Sequence, residues 1–526
     1  MMKKVLLVII CSITLSAYSQ NQNISNGIVF DGEPYLTVNP NNPKHLVVAW
    51  MGWKLNNLIV IKTRVSFDAG QTWSATTNIP HTISGYQSAD PSLSFDNNGN
   101  LFLCFIDYTP NPAAGAVYVT KSTDGGLNWG TPIEVINVND DGSQEPVDRP
   151  WMAIDNSGGA NDGNIYVTTM NPNVFGPVPP PFNPYFTRST NGATSFDAWR
   201  YLDTANWQAG SIIPQPMATP CVSADGTFHA IYPSLVFTQS PPGQYIVASS
   251  TSAGNTFNYH TALPITTANT DTLPKKGYHL ISDPADANHL LFAYPDFGNG
   301  DIDVYITETL NAGTTWTTPV RVNDDPIAND RMQDLIWADF DNDGDVVVTW
   351  RDRRNANDST YTVSAEIYGA IRWKDSTNFS ANFPITDSSI SYNNVLAQSG
   401  NDFMCVNMIN DTIYAVWGDT RNNFLNIWFQ RMDVTGGGTY VKDLANDIEV
   451  INAYPNPATN YLIVDFGNNE ITNAHYEIIN PLGEIISHQN ISNKQQQIDL
   501  SEFYSGNYLL KFTNKKGSRV IKIVKK

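Results

Sequence analysis

Charge is scarce in this sequence, and positive charge is scarcest. Only 15% of its 526 residues are Asp, Glu, Lys or Arg, and 50 acids outnumber 30 bases for a formal net charge of −20. A coiled coil or a charge-driven disordered chain carries more charge than this. A nucleic-acid-binding protein needs a basic face to displace counterions, which this balance does not favour. Cysteine is nearly absent, with four residues, of which Cys11 lies in the apolar N-terminal run. The other three, Cys104, Cys221 and Cys405, cannot all pair. Each sits in an apolar strand-like run, so they read as buried thiols. The sequence has no CxxC pair and no His/Cys zinc spacing. Past the N-terminus no apolar run approaches the ~18 residues of a membrane-crossing helix.

What is present points outward from the cell. Hydrophobic residues make up 41% and aromatics 11%, enough for a substantial core. Asn, Thr, Ser, Gly and Asp are abundant, as in an extracellular β protein with many turns. Met1-Met2-Lys3-Lys4 is a basic start, residues 5–15 are mostly apolar, and Ala17 and Ser19 are small residues ahead of Gln20. Residues 1–19 therefore read as a secretory signal peptide. Residues 444–526 hold eight acids and eight bases, so the acidic excess lies in 20–443. Two bodies follow the leader, at 20–443 and 444–526.

The first body is built from repeats. An apolar strand, a turn and a second apolar strand recur at 33–50, 90–107, 149–170, 218–233, 278–296, 333–352 and 402–419. A second signature, Ser-x-Asp-x-Gly-x-Thr-Trp, follows in most copies. It is complete at Ser66, Asp68, Gly70 and Trp73, and nearly so at Ser122, Asp124, Gly126 and Trp129. Weaker versions start at Ser189, Ser250 and Thr309, with starts 56, 67, 61 and 59 residues apart. In such a hairpin the Asp accepts backbone N–H bonds, the Gly takes a positive φ and the Trp packs between sheets. Repeats of this length read as four-stranded propeller blades. The seven copies favour seven blades over six, although the sixth and seventh lack a clear Asp signature. The fold class is therefore all-β: a β-propeller followed by a small β-sandwich.

The Ser-x-Asp hairpins resemble the Asp box of sialidase-like, BNR-repeat propellers. The resemblance implies a site on the face away from those hairpins. A catalytic member of that family uses three arginines on the sugar carboxylate, a Tyr nucleophile with a Glu, and an Asp acid/base. Its Phe/Tyr-Arg-Ile-Pro motif is replaced here by Gly32-Glu33-Pro34-Tyr35, and no motif selects Tyr278 or Tyr392 as nucleophile. In the second body, Tyr454-Pro455-Asn456-Pro457, Gly483-Glu484, Leu500, Gly506-Asn507-Tyr508 and the basic end at 522–526 resemble a type A sorting domain of the type IX secretion system of Bacteroidetes. That resemblance implies export across the outer membrane, with the secretion machinery as a partner. The protein is then released or attached at the cell surface, with no transmembrane segment in the mature chain.

Candidate ligand-binding residues cluster in the site-face loops: Arg149, Arg331, Arg353 and Arg421, with Asp148, Asp352 and Asp419. Glu33, Asp107 and Asp296 share that face. Arginine grips a carboxylate bidentately, so such a ring suits an acidic sugar. The competing reading is that each Asp–Arg pair ties neighbouring blades. Asp339, Asp341 and Asp343 have the D-x-D-x-D-G spacing of a structural calcium loop, or form a solvated acidic hairpin. The proline-rich stretch at 177–184 walls the mouth or is a plain surface loop. The leading expectation is a non-catalytic module binding a glycan or surface protein at its central mouth. The alternatives are an exo-acting sialidase-type glycoside hydrolase and a purely structural surface role.

Overall fold

A computed structural model describes residues 20–54, 58–109, 114–142, 144–171, 182–203, 216–235, 243–265, 277–391, 401–434, 452–467, 471, 474–480, 485–514 and 517–526. Tyr392 and most of the proline-rich stretch lie outside these. The chain divides into two compact units, one of residues 20–436 and one containing 437–526.

The larger unit consists of seven four-stranded antiparallel sheets. Their innermost strands are Asp31–Asn39, Gln87–Phe95, Asp148–Ile154, Thr219–Val222, His279–Ser282, Gln333–Phe340 and Cys405–Ile409, defining blades 1 to 7. Each innermost strand packs against the next, and that of blade 7 packs against that of blade 1, so the ring is closed. The protein is a seven-bladed β-propeller. Blade 7 is completed from the other end of the chain: Gln22–Asn23 pairs with Asn426–Asp433, placing Gln22 opposite Phe429 and Asn23 opposite Trp428.

The strand patterns explain the ring. The second strand of each blade is covered on both faces by neighbouring blades, so it reads as an apolar run rather than an alternation. Leu101–Tyr108 is buried at all but its last residue, and Leu290–Asp296 and Val346–Asp352 are buried throughout. Cys104 and Cys405 are buried, Cys221 is partly covered, and all three are free thiols.

The hairpins between third and fourth strands have one geometry in five blades. In blade 1 Ser66 Oγ donates to Asp68 Oδ1 at 2.8 Å and accepts from Gly70 N–H, while Asp68 Oδ1 accepts Thr72 N–H at 2.8 Å. Asn191, Ser252 and Asn311 take the Asp position in blades 3, 4 and 5 and accept the equivalent N–H. Gly70 has φ 83°, and a Cβ there would lie 2.4 Å from the Phe429 ring of blade 7. Trp73 packs edge-on against that same ring at 5.1 Å. Blade 7 has no such hairpin among the described residues, its fourth strand there being Gln22–Asn23.

Two acids of the expected calcium loop make contacts to blade 7. Asp339 Oδ2 accepts Asn407 Nδ2 and Met408 N–H, and Asp341 accepts the N–H groups of Asn410 and Asp411. These carboxylates tie blade 6 to blade 7 through three backbone N–H groups and the Asn407 side chain. Among the described residues, Asp339, Asp341 and Asp343 do not gather as a ligand set around one point.

The smaller unit holds a three-stranded and a four-stranded sheet. They enclose a core that includes Leu462, Phe466, Tyr476, Leu510 and Phe512.

Candidate functional site at the propeller mouth

Antiparallel blades put the starts of first strands and the ends of second strands on one face, here called the mouth face. The Ser-x-Asp hairpins lie on the other. On the axis, ring packing among side chains of the inner strands plugs the channel. Tyr35, Trp151, Trp337 and Phe403 meet with centroids 5.0–5.7 Å apart for the closest pairs, and His279 stacks on Trp337 at 4.2 Å. His279 donates from Nδ1 to the Ala338 carbonyl, and burial lowers its pKa to about 4, so it is a neutral part of this plug. Above it lies a small cleft lined by Arg149, Met217, Tyr278, Leu335 and Asp402.

A repeated irregularity shapes the rim. The inner strands of blades 1, 2, 3 and 6 break register between Gly32 and Tyr35, Ala89 and Ser92, Asp148 and Trp151, and Asp334 and Trp337. Inside each break one non-glycine residue has positive φ: Glu33 at 54°, Asp90 at 52°, Arg149 at 45° and Leu335 at 52°. Three are charged and precede a proline, which disfavours the helical region for them. Four copies of an uncommon conformation around one axis are the kind of stored strain that accompanies binding sites.

These bulges bring carboxyls together. Arg149 N–H donates to Asp90 Oδ2 at 3.1 Å, and its Nη2 pairs with Asp402 at 3.1 Å across the axis. Asp148 is hydrogen-bonded to Asp90, and burial, then the Asp90 charge, raise its pKa well above the usual value against the pull of Arg149. Burial, with Asp90, Glu33 and Asp148 close by, pushes the Tyr108 phenol far up, leaving it a neutral hydroxyl. Among the described residues this part of the rim is thus acidic around Arg149.

The other predicted arginines are committed elsewhere. Arg353 is 2% exposed, bound with Arg351 to Asp334 and stacked over Tyr361 at 4.5 Å. The two arginines, after burial's opposing effect, hold Asp334 down to about 2. Arg421 bonds Asp419 and Asp387 and lies 4.3 Å over Trp428, while Asp419 accepts Trp417 Nε1–H at 3.1 Å. Blade 6 repeats this: Arg354 bonds Asp352 and Asp324 and lies 4.3 Å over Tyr368, and Asp352 accepts Trp350 Nε1–H at 2.6 Å. This Trp-x-Asp-x-Arg clamp holds the loop arriving from the preceding blade. Arg421, Asp352 and Asp419 thus share the mouth face with Arg149 but serve inter-blade packing, while Arg353 is held inside blade 6 by Asp334 and Tyr361.

Asp107 does the same job in blade 2, accepting from His81, Thr82 N–H, Thr82 Oγ1–H and Ser88. Arg331 stands in the loop entering blade 6, its N–H on Asn329 Oδ1 at 2.8 Å, outside the axial cleft. Tyr278 lines the cleft but donates its hydroxyl to the Met217 carbonyl at 2.7 Å, and burial pushes its pKa well up, which disfavours a nucleophilic phenolate. Asp90, Tyr108 and Asp402 are site residues that repeat reasoning passed over. The signal for the bulges was present, as Glu33-Pro34, Asp90-Pro91 and Arg149-Pro150 at equivalent points of three repeats.

Residues 452–526 match the family model described as the secretion system C-terminal sorting domain. The tail is a type IX sorting domain, and the protein is secreted or attached at the outer-membrane surface. Among the described residues no helix is long and apolar enough to cross a membrane. No curated protein matches the chain. Among solved structures, a protein of unknown function from Dyadobacter fermentans is 13% identical, covering 79% of this chain and 99% of its own, with a TM-score of 0.41. The α-L-arabinanase of Penicillium chrysogenum with arabinobiose is 12% identical, covering 80% and 99%, at 0.42. The intramolecular trans-sialidase of Ruminococcus gnavus is 14% identical, covering 80% and 98%, at 0.37.

Proposed function

We propose that the exported propeller is a binding module that takes a neutral or amino-bearing glycan at its axial mouth. The observation that carries this is the charge of the rim among the described residues: Asp90, Asp148 and Asp402 adjoin Arg149, and Glu33 lies beside them near Tyr108. A sialic acid needs several guanidinium groups free to meet its carboxylate. Here Arg354 and Arg421 are held in blade clamps and Arg353 is paired with buried Asp334, and the carboxylates at the mouth repel a further negative charge. Sugar hydroxyls suit this rim, because carboxylates accept from them while Arg149 and the Tyr108 phenol donate. The signal peptide read at 1–19 fits delivery of such a module to the cell exterior.

A second reading is favoured by one observation. The adjoining Asp90 and Asp148 carboxyls have the composition of a glycosidase acid/base couple. A glycan array and a panel of fluorogenic glycosides, sialosides included, separate the two. Binding of neutral or amino sugars without release, weakened about tenfold in Arg149→Gln and Asp402→Asn, is the expected result. Release of sialoside, or retention of anionic glycans in preference to neutral ones, would overturn the proposal. Release of a neutral glycoside that Asp148→Asn abolishes would establish the second reading instead.

A further inference from the structure

We propose that His475, Glu477 and His488 form a site for a divalent transition-metal ion, here zinc, on the outer face of the sorting domain's four-stranded sheet. Strand periodicity places the three together. In the strand His475–Ile479, Tyr476 and Ile478 are buried in the core, so His475 and Glu477, two residues apart, share the opposite face. His488, in the neighbouring strand Ile485–Asn490, is paired directly across from Glu477. Cross-strand partners on one face come within side-chain reach of each other.

The donor atoms are close to ligand geometry. One nitrogen from each histidine and one Glu477 oxygen all lie within 4.8 Å of one another. His488 Nδ1 is 3.5 Å from Glu477 Oε1, and the two imidazoles face each other with centroids 4.7 Å apart. Zinc bound at 2.0–2.1 Å in a tetrahedron sets its donors about 3.3 Å apart, so a small side-chain adjustment completes the set. Two imidazoles and one carboxylate are a donor combination zinc takes, leaving a fourth position for water.

The other Glu477 oxygen is 3.2 Å from Lys511 Nζ, on the strand Gly506–Asn514. Lys511 orients the carboxylate while leaving Oε1 toward the imidazoles, as an outer-sphere partner does. The site bridges the edge strand Ile485–Asn490 to its inner neighbour. Bound zinc would therefore fasten the sheet where it has a free edge.

The test uses the full chain from residue 20 onward, without an affinity tag, stripped of metal. Zinc is titrated in competition with a chromophoric chelator. One equivalent bound at micromolar zinc is expected, with affinity falling at least about tenfold in His475→Ala and in His488→Ala. His260→Ala, on the outer strand of blade 4, is expected to bind as wild type. Circular dichroism checks that the variants fold. If a histidine variant unfolds, the isosteric Glu477→Gln takes its place and is also expected to weaken zinc. Wild-type binding only at millimolar zinc, or unchanged affinity in the variants at the site, would overturn the proposal.

Discussion

At the residue scale, two side chains illustrate how neighbouring blades set local chemistry. His289 donates to Asp283 Oδ2 and Glu308 Oε1, each at 2.9 Å, while Arg372 of blade 6 pairs with the same Glu308. Burial works to lower the His289 pKa, but the two carboxylates overcome it and raise it to about 9. A histidine raised above its unfolded value of about 6.5 stabilises the fold fully below that pH, and the benefit fades as pH climbs to about 9. The propeller's thermal midpoint should thus fall between pH 6.5 and 9 more steeply in wild type than in His289→Gln, as followed by calorimetry. A flat wild-type profile across that window would contradict it. Gly70 is the second case. Gly70→Ala adds strain at positive φ and drives a methyl into Phe429 of the adjoining blade, so a loss of about 2 kcal/mol or more is expected in chemical denaturation.

At the element scale, the buried Arg351–Asp334–Arg353 group is a single unit. Removing its anion with Asp334→Asn leaves two guanidinium groups without compensation in the interior. A destabilisation of about 3–5 kcal/mol is expected from urea unfolding, and much less from Asp324→Asn, whose carboxylate is 47% exposed. The inner two strands of each blade were legible because burial on both faces writes an apolar run, and the turn between them writes Asn, Asp and Gly. The outer strands were not. Thr77–Asn78, Arg200–Tyr201 and Phe383–Pro384 are two residues long and leave no periodicity to read. The arginine ring was read from recurrence: a Trp-x-Asp-x-Arg run recurs because the clamp recurs, and recurrence alone does not distinguish a shared ligand from a shared joint. The zinc donors were invisible to spacing, since the third is supplied across a strand pair.

At the scale of the whole molecule, the ring depends on contact between residues far apart in sequence. Gln22 pairs with Phe429, Ile24 N–H donates to the Ile427 carbonyl, and Asn21 bonds Gln430 and Asp387. A chain starting at residue 26 should lose the fourth strand of blade 7 and expose the edge of Asn426–Asp433. A lower midpoint and proteolytic cutting in blade 7 are expected, with rescue by a peptide of residues 20–30. An unchanged midpoint would mean the ring is held by the inner strands alone.

That joint also dictates when the molecule can become itself. The strand Gln22–Asn23 has no partner until the last blade has been made, so a partly synthesised chain cannot close. Pairing across so long a loop is slow. The polypeptide therefore stays open at blade 7 for as long as it is still emerging.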